Sequence, residues 1–301
     1  MENATALQAA SEQRAQPRKR SGGRAVAGKI LSYFFLALLS LFFLFPFLVM
    51  VCISILPNNE VFLGVLFSRS GTINLGTYLS IFQPGSNYLR YLFNSLKVAV
   101  ITAVGIPIAS SLCAYGFAKM DFKGKNVMFG IVLSTMMIPA VVTLIPLQTI
   151  FNALGWLDTL YPMWVPSLFG GGATNIFLMR QFMMGIPNDM LNSAKLDGAN
   201  SFVIYLRLMI PLCIPIMLYV AVMSFLGSWN DFMTPMTYLG NGSSPAATLA
   251  LGIYTDYGPS SGALPNSSMA AGVIMTLPCA ILFFIFQRSL IDGVAITGMK
   301  G

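Results

Sequence analysis

Histidine is absent from all 301 residues. Without imidazole there is no Ser-His-Asp or Cys-His nucleophile, no histidine-ligated metal and no histidine proton relay, which removes most enzyme classes. Charge is scarce as well: Asp, Glu, Lys and Arg make up 9% of the chain, against about a quarter in an ordinary soluble domain. Cys52, Cys113, Cys213 and Cys279 have no Cys-x-x-Cys spacing and fall in or beside apolar runs, so they read as small buried hydrophobes and not as disulfides or metal ligands. No Gly-x-x-x-x-Gly-Lys-Ser/Thr loop is present. The Gly-Lys pair in FKGKN, residues 122–126, lacks both the first glycine and the following hydroxyl, so nucleotide is not held by that route. Paired carboxylates are missing from the apolar segments, which leaves a proton-driven or sodium-driven carrier little to work with.

What the chain does have is apolar length. Hydrophobic residues are 56% of the sequence, and runs near the roughly 20 residues that cross a bilayer lie at 30–56, 92–118, 127–151, 160–182, 210–229 and 269–286. The expectation is an all-α polytopic membrane protein with six spans. The first run is too long for a signal-peptide core and lacks a clear small-residue cleavage site, so it reads as an uncleaved span. Basic residues of short loops set orientation. Arg14, Arg18, Lys19, Arg20, Arg24 and Lys29 precede span one, and Lys119, Lys123 and Lys125 follow span two. Arg180, Lys195 and Arg207 flank the segment between spans four and five, and Arg288 and Lys300 lie near the chain end. Both termini are therefore expected in the cytoplasm of a cell-membrane protein, together with the segment 183–209. The organisation that follows is a tail at 1–29, a first span at 30–56, an extracytoplasmic loop at 57–89, a five-span core at 90–290 and a tail at 291–301. The net charge of +7 is explained by these topogenic groups and needs no nucleic-acid partner.

Two charged residues stand near span ends, Lys97 and Asp231; each reads either as an intramembrane group or as one at the water interface. Ser110, Ala114 and Ala118 form a small-residue stripe in span two that lets helix backbones approach, as a subunit interface or within the chain. Pro107, Pro139, Pro146, Pro166, Pro215 and Pro278 interrupt five spans and free carbonyls that neighbours or cavity water must satisfy.

The most informative stretch is PNDMLNSAKLDGANSFVIYLRLMIPLCIP, residues 187–215. Pro187 ends one segment, Asn188 is suited to cap a helix, Asp189 favours its positive end, and Gly198 supplies a left-handed stop. On this helix of about two and a half turns, Met190, Leu191 and Ala194 form an apolar stripe. Ser201 is placed to cap a second helix that leads into Pro211. Such a helix either rests on lipid at the membrane surface or docks against another protein.

The segment resembles the EAA loop of binding-protein-dependent ABC importer permeases, whose pattern runs E-A-A-x-x-D-G-A into a proline-punctuated apolar tail. Ala194, Asp197, Gly198 and Ala199 match, as do Pro211, Leu212 and Pro215, while Asn192 and Ser193 stand where the family has glutamate and alanine. FNSLKVAV at 93–100, AYGFAKMDFKGK at 114–125, MMIPAVVTLIPL at 136–147, SWNDF at 228–232 and the ending FQRSLIDGVAITGMKG are similar, in order, to landmarks of its carbohydrate-importer branch. The resemblance implies a type-1 permease fold and a subunit that moves a sugar or oligosaccharide. It implies no cofactor in this chain, with ATP-Mg bound by a partner ATPase. Its partners are a second, different permease subunit, two ATPase subunits, an extracytoplasmic solute-binding protein, the sugar and membrane lipid. Met190, Leu191, Asn192, Ser193, Ala194, Asp197, Gly198 and Ala199 would form the contact with the ATPase, with Met190, Leu191 and Ala194 as its buried anchors. Asn94, Tyr115, Trp229, Asn230 and Asp231 are candidates to stack on or hydrogen-bond a polyhydroxyl cargo. Rival readings are a permease for another polar solute such as glycerol phosphate, a scaffold subunit with no pathway, and an intramembrane lipid-modifying enzyme.

Overall fold

A computed structural model describes residues 22–62, 67–240 and 244–298, with side chains described over 26–62, 67–240 and 244–287. The described residues are helical, with no strand among them. The basic residues of 1–21 and the side chain of Arg288 lie outside these limits. The chain divides into two compact units, residues 1–50 and 51–301.

Helix α1, Gly22–Ser54, supplies the described part of the first unit. Beyond Lys29 it carries no charge, and over residues 26–48 its apolar side chains are exposed in every direction, with Tyr33 at 70% and Phe42 at 72%. A helix apolar all round with no core of its own is built for hydrocarbon.

The second unit contains α2 (Gly76–Ile81), α3 (Tyr88–Lys119), α4 (Lys125–Thr135), α5 (Ala140–Ala153), α6 (Tyr161–Leu168), α7 (Ala173–Met184), α8 (Asn188–Leu196) and α9 (Ser201–Ile204). A π turn, Tyr205–Met209, leads into α10 (Ile210–Trp229), followed by α11 (Met233–Tyr238), α12 (Leu249–Tyr257) and α13 (Pro265–Gly298). Four helical stretches are long and apolar enough to cross a membrane: Val26–Ser54, Tyr88–Lys119, Ser201–Trp229 and Pro265–Gln287. A fifth arises if α4 and α5 count as one span, but they meet at 97°. Pro139 sits at that corner because a residue preceding proline is driven out of the helical region. The expected span at 160–182 is not continuous: α6 ends at Leu168, Gly170, Gly171 and Gly172 all take positive φ, and α7 starts afresh at Ala173. Glycine counts as neutral in a hydropathy window but is the one residue that enters this backbone region freely, so the apolar run hid a break. At the other end, α13 runs through Gly298, into the segment expected as a tail.

Helix α3 is the axis of the unit and packs along α10, α7, α6 and α12. Two buried clusters lie along it. One gathers Tyr88, Tyr91, Phe225, Trp229 and Leu251, and the other Tyr115, Met179, Met183, Tyr205 and Met209. Between them Thr102 Oγ1 and Ser228 Oγ, 2.8 Å apart, join α3 to α10. The small-residue stripe faces inward: Ser110 and Ala114 are fully buried. A side chain on Gly171 would lie 2.6 Å from the Ile106 carbonyl and 2.9 Å from Ser110 Cβ. The stripe thus lets the turn before α7 lie against α3, which is packing within the chain.

Candidate functional site

The loop 183–209 is built as two helical arms around a tight stop. Helix α8 begins directly after Pro187, with Asp189 in its first turn and Lys195 in its last, both favourable to the helix dipole. It closes through two backbone bonds of 3.0 Å, Gly198 N–H to Lys195 O and Ala199 N–H to Ala194 O, with Gly198 at φ +82°. This is a Schellman closure, and the left-handed residue it needs is the expected glycine. The caps differ from expectation. Asn188 does not cap its own helix, because its Oδ1 accepts from Lys119 Nζ at 2.8 Å. The second arm is capped one residue earlier than Ser201, by Asn200, whose Oδ1 accepts from Val203 N–H at 2.9 Å.

The residues singled out on α8 fall on two sides. Leu191, 4% exposed, joins the cluster of Met179, Met183 and Ile204, and Ala194 and Ala199 pack against the same cluster. These side chains fasten the helix to its own chain. The outward side carries Asp189, Asn192, Ser193 and Leu196, with Met190 at 42% exposed and Asp197 and Gly198 also open. Leu196 is the residue that pattern reading passed over. At 90% exposed it is a large apolar side chain held out on a short polar helix. Five residues at about 100° each turn it about 140° away from Leu191, onto the other side of the helix. In the second arm Ile204, Tyr205 and Met209 are buried while Phe202 and Leu206 remain exposed.

The five cargo candidates are not brought together. Tyr115 lies beside the loop: its OH donates to Ser201 O at 3.1 Å and its ring sits 5.3 Å from that of Tyr205. Asn94 is 21 residues earlier on α3, roughly 30 Å away along the helix axis, and donates to Pro245 O and Ala247 O, both at 2.9 Å. Trp229 is 1% exposed, stacks on Phe225 and donates from Nε1 to Met275 O at 3.0 Å. All three have structural partners. Asn230 is exposed and returns a hydrogen bond to Leu226 O at 2.8 Å. Half-buried Asp231 accepts from Thr234 N–H at 3.1 Å, and Lys97 is exposed on α3. Asp231 also borders a small space of about 10 Å³ lined by Val98, Met163, Ser228, Pro235 and Thr248. That volume suits about one water molecule and no sugar ring. Thr248 Oγ1 is buried there without a hydrogen-bond partner.

The described residues contain no group of histidine, cysteine or carboxylate side chains able to hold a metal. At the far end from the loop, the Glu60 carboxylate accepts from the backbone N–H groups of Arg69 at 2.8 Å and Ser70 at 3.0 Å. The Ser70 hydroxyl is the largest influence holding its pKa below the ordinary carboxylate value, and burial opposes it.

Compared with known proteins, residues 105–295 match the family described as "Binding-protein-dependent transport system inner membrane component". The chain is 33% identical over 273 residues to the arabinooligosaccharides transport system permease protein AraQ of Bacillus subtilis, covering 90% of this chain and 95% of that protein. It is 31% identical over 294 residues to the maltose/maltodextrin transport system permease protein MalG of Photorhabdus laumondii, covering 92% and 96%. A solved bacterial ABC transporter involved in importing the acidic polysaccharide alginate has a chain with the same fold, at a TM-score of 0.75 and 21% identity, covering 91% of this chain and 99% of that one.

Proposed function

Because this chain belongs to the family of binding-protein-dependent transport system inner membrane components, we infer that it is the permease subunit of an ABC importer that carries a sugar or oligosaccharide across the cell membrane. It spans that membrane several times, with both termini and the loop 183–209 on the cytoplasmic side. The cargo class follows from relatives named for arabinooligosaccharide and maltodextrin transport. Neutral cargo also suits a chain with so little charge in its spans.

The chain supplies no ATPase site of its own. ATP-Mg is bound by two partner ATPase subunits, a second permease subunit completes the pathway, and an extracytoplasmic solute-binding protein delivers the sugar. The observation that carries this division of labour is the exposed face of α8. A helix of 9 residues, stopped by its Gly198 closure and fixed to its own bundle by Leu191, holds Leu196 at 90% exposure beside Asn192 and Ser193. An apolar anchor rimmed by small polar groups is the pattern of a docking contact, and an interface core buries such a side chain. ATP-driven closure of the two ATPase subunits would move this helix, and with it the bundle, between inward-facing and outward-facing arrangements.

Purifying the tagged chain in detergent tests the reading. The native chain is expected to bring an ATPase with it, and Leu196→Asp, which places a carboxylate at the centre of the contact, is expected to lose it. Retention of the ATPase by Leu196→Asp and by Gly198→Asp together would overturn the coupling role.

A further inference from the structure

Helix α3 grips both arms of the loop through one row of side chains. Lys119 Nζ donates to Ile186 O at 2.7 Å and to Asn188 Oδ1 at 2.8 Å, at the entrance to α8. One turn back, Tyr115 OH donates to Ser201 O at 3.1 Å, at the start of the second arm. Another turn back, Ser111 Oγ and Tyr205 OH are 2.8 Å apart at the π turn. The spacing i, i+4, i+8 places all three on one face of α3. None of these contacts is needed to close the C-terminal end of α8, which its own backbone completes.

The covalent route from the loop to α10 is a compliant one. It passes through the π turn Tyr205–Met209 and then through Pro211 and Pro215, features that interrupt regular helical hydrogen bonding. A lateral attachment to α3 bypasses that joint, and its Lys119 end is a charged donor, which makes the stronger kind of hydrogen bond. The opposite half of α3 is tied just as firmly elsewhere. Asn94 holds Pro245 O and Ala247 O, Ser95 Oγ accepts from Leu249 N–H at 2.7 Å, and Tyr91 OH donates to Asp256 Oδ2 at 2.9 Å.

We propose that Ser111, Tyr115 and Lys119 are positioning residues that lock the coupling loop to α3, so that loop and helix move as one body during the ATP cycle and α3 carries the displacement to the segment 245–256. The proposal rests on the reading of 183–209 as the coupling loop.

The test uses the full complex that co-purifies with the tagged chain, in lipid nanodiscs. The four native cysteines are replaced by alanine, and nitroxides are attached at Lys195→Cys on α8 and Leu112→Cys on α3, both exposed positions. The distance between the labels is read by double electron–electron resonance without nucleotide and with MgATP and vanadate. The parent complex is expected to keep its separation within about 2 Å, the size of ordinary helix shifts. The double variant Tyr115→Phe with Lys119→Met preserves the ring and the aliphatic stem, so folding survives, and nucleotide should now change the separation by more than that. Lys119→Arg, which restores a charged donor, should return the parent behaviour. A nucleotide-driven change in the parent, or a fixed separation in the double variant, would overturn the proposal. If Leu196→Asp and Gly198→Asp both retain the ATPase, the coupling reading itself has failed; if the ATPase is lost while the Tyr115→Phe, Lys119→Met double variant behaves as the parent, only the lock has failed.

Discussion

Leu191 and Leu196 stand on the same short helix with opposite surroundings, 4% and 90% exposed. Truncating a buried leucine leaves a cavity, so Leu191→Ala should lower the stability of the solubilised chain by about 2–5 kcal/mol. Leu196→Asp should shift the melting temperature by little, since exposed substitutions usually stay within about 0.5 kcal/mol. Thermal melting of the two variants side by side checks the contrast; equal losses would place Leu196 in the chain's own core. Glu60 gives a pH-dependent counterpart. Its carboxyl is held below its ordinary pKa in the folded state, so the stability it contributes is present above the unfolded carboxyl's range. That stability is lost as pH falls through the lowered folded value. Amide protection factors at Arg69 and Ser70, the two N–H donors, measured against the intrinsic exchange rate at each pH, should therefore fall on acidification, and Glu60→Gln should abolish that dependence. Of these residues, the sequence revealed Gly198, because a left-handed stop is local chemistry. It did not reveal that Asn188 serves Lys119, 69 positions away, because a long-range donor can take a capping group for itself.

Helices were readable where their signal was a continuous apolar run, as in α1, α3, α10 and α13, and unreadable where an apolar run contained a corner. The run 160–182 looked like one span because its three glycines are hydropathically silent. Their positive φ values, at +88°, +72° and +86°, separate α6 from α7. Gly171 is the one pressed against α3. Gly171→Ala would have to displace the Ile106 backbone and would also force a Cβ into a left-handed conformation. Overpacking of this kind typically costs about 1–3 kcal/mol, and here it would separate α7 from α3. The expected outcome is a lower melting temperature for the purified chain and loss of the α3–α7 contact. Cross-linking between cysteines introduced at Ala114 and Met179, on those two helices, would report that loss. Gly172→Ala, whose added carbon would meet only the Asn175 amide at 3.9 Å, should be milder, and equal effects would show that strain alone is responsible. The π turn was also invisible in the pattern. Ile204, Tyr205 and Met209 turn inward, leaving Phe202 and Leu206 outside the face on which regular α spacing would have grouped them with Tyr205 and Met209.

At the scale of the molecule, the family came from the order of the motifs, and charge gives an expected orientation. Individually weak motifs in the right sequence were enough for the family, while of the cargo candidates Asn94, Tyr115 and Trp229 hydrogen-bond within the chain, Tyr115 at one end of α3 and Asn94 at the other. That helix has 32 residues, about 48 Å at 1.5 Å per residue, longer than a hydrocarbon core of about 30 Å. Its two ends therefore belong to opposite aqueous faces, the Lys119 end with the loop 183–209 and the Tyr88 end with the segment 245–257. Lys119, Lys123 and Lys125 gather at one end of this helix, which the positive-inside rule assigns to the cytoplasm. Single cysteines placed at two exposed sites, Lys195 on α8 and Ser260 beyond α12, turn this into a measurement, in a chain whose native cysteines are alanine. In intact cells with a permeable outer layer, a membrane-impermeant maleimide should label Ser260→Cys and spare Lys195→Cys. Lysis should then expose Lys195→Cys. The reverse pattern would put α8 out of reach of any cytoplasmic ATPase, and no degree of complementarity on its Leu196 face could then make it a coupling element.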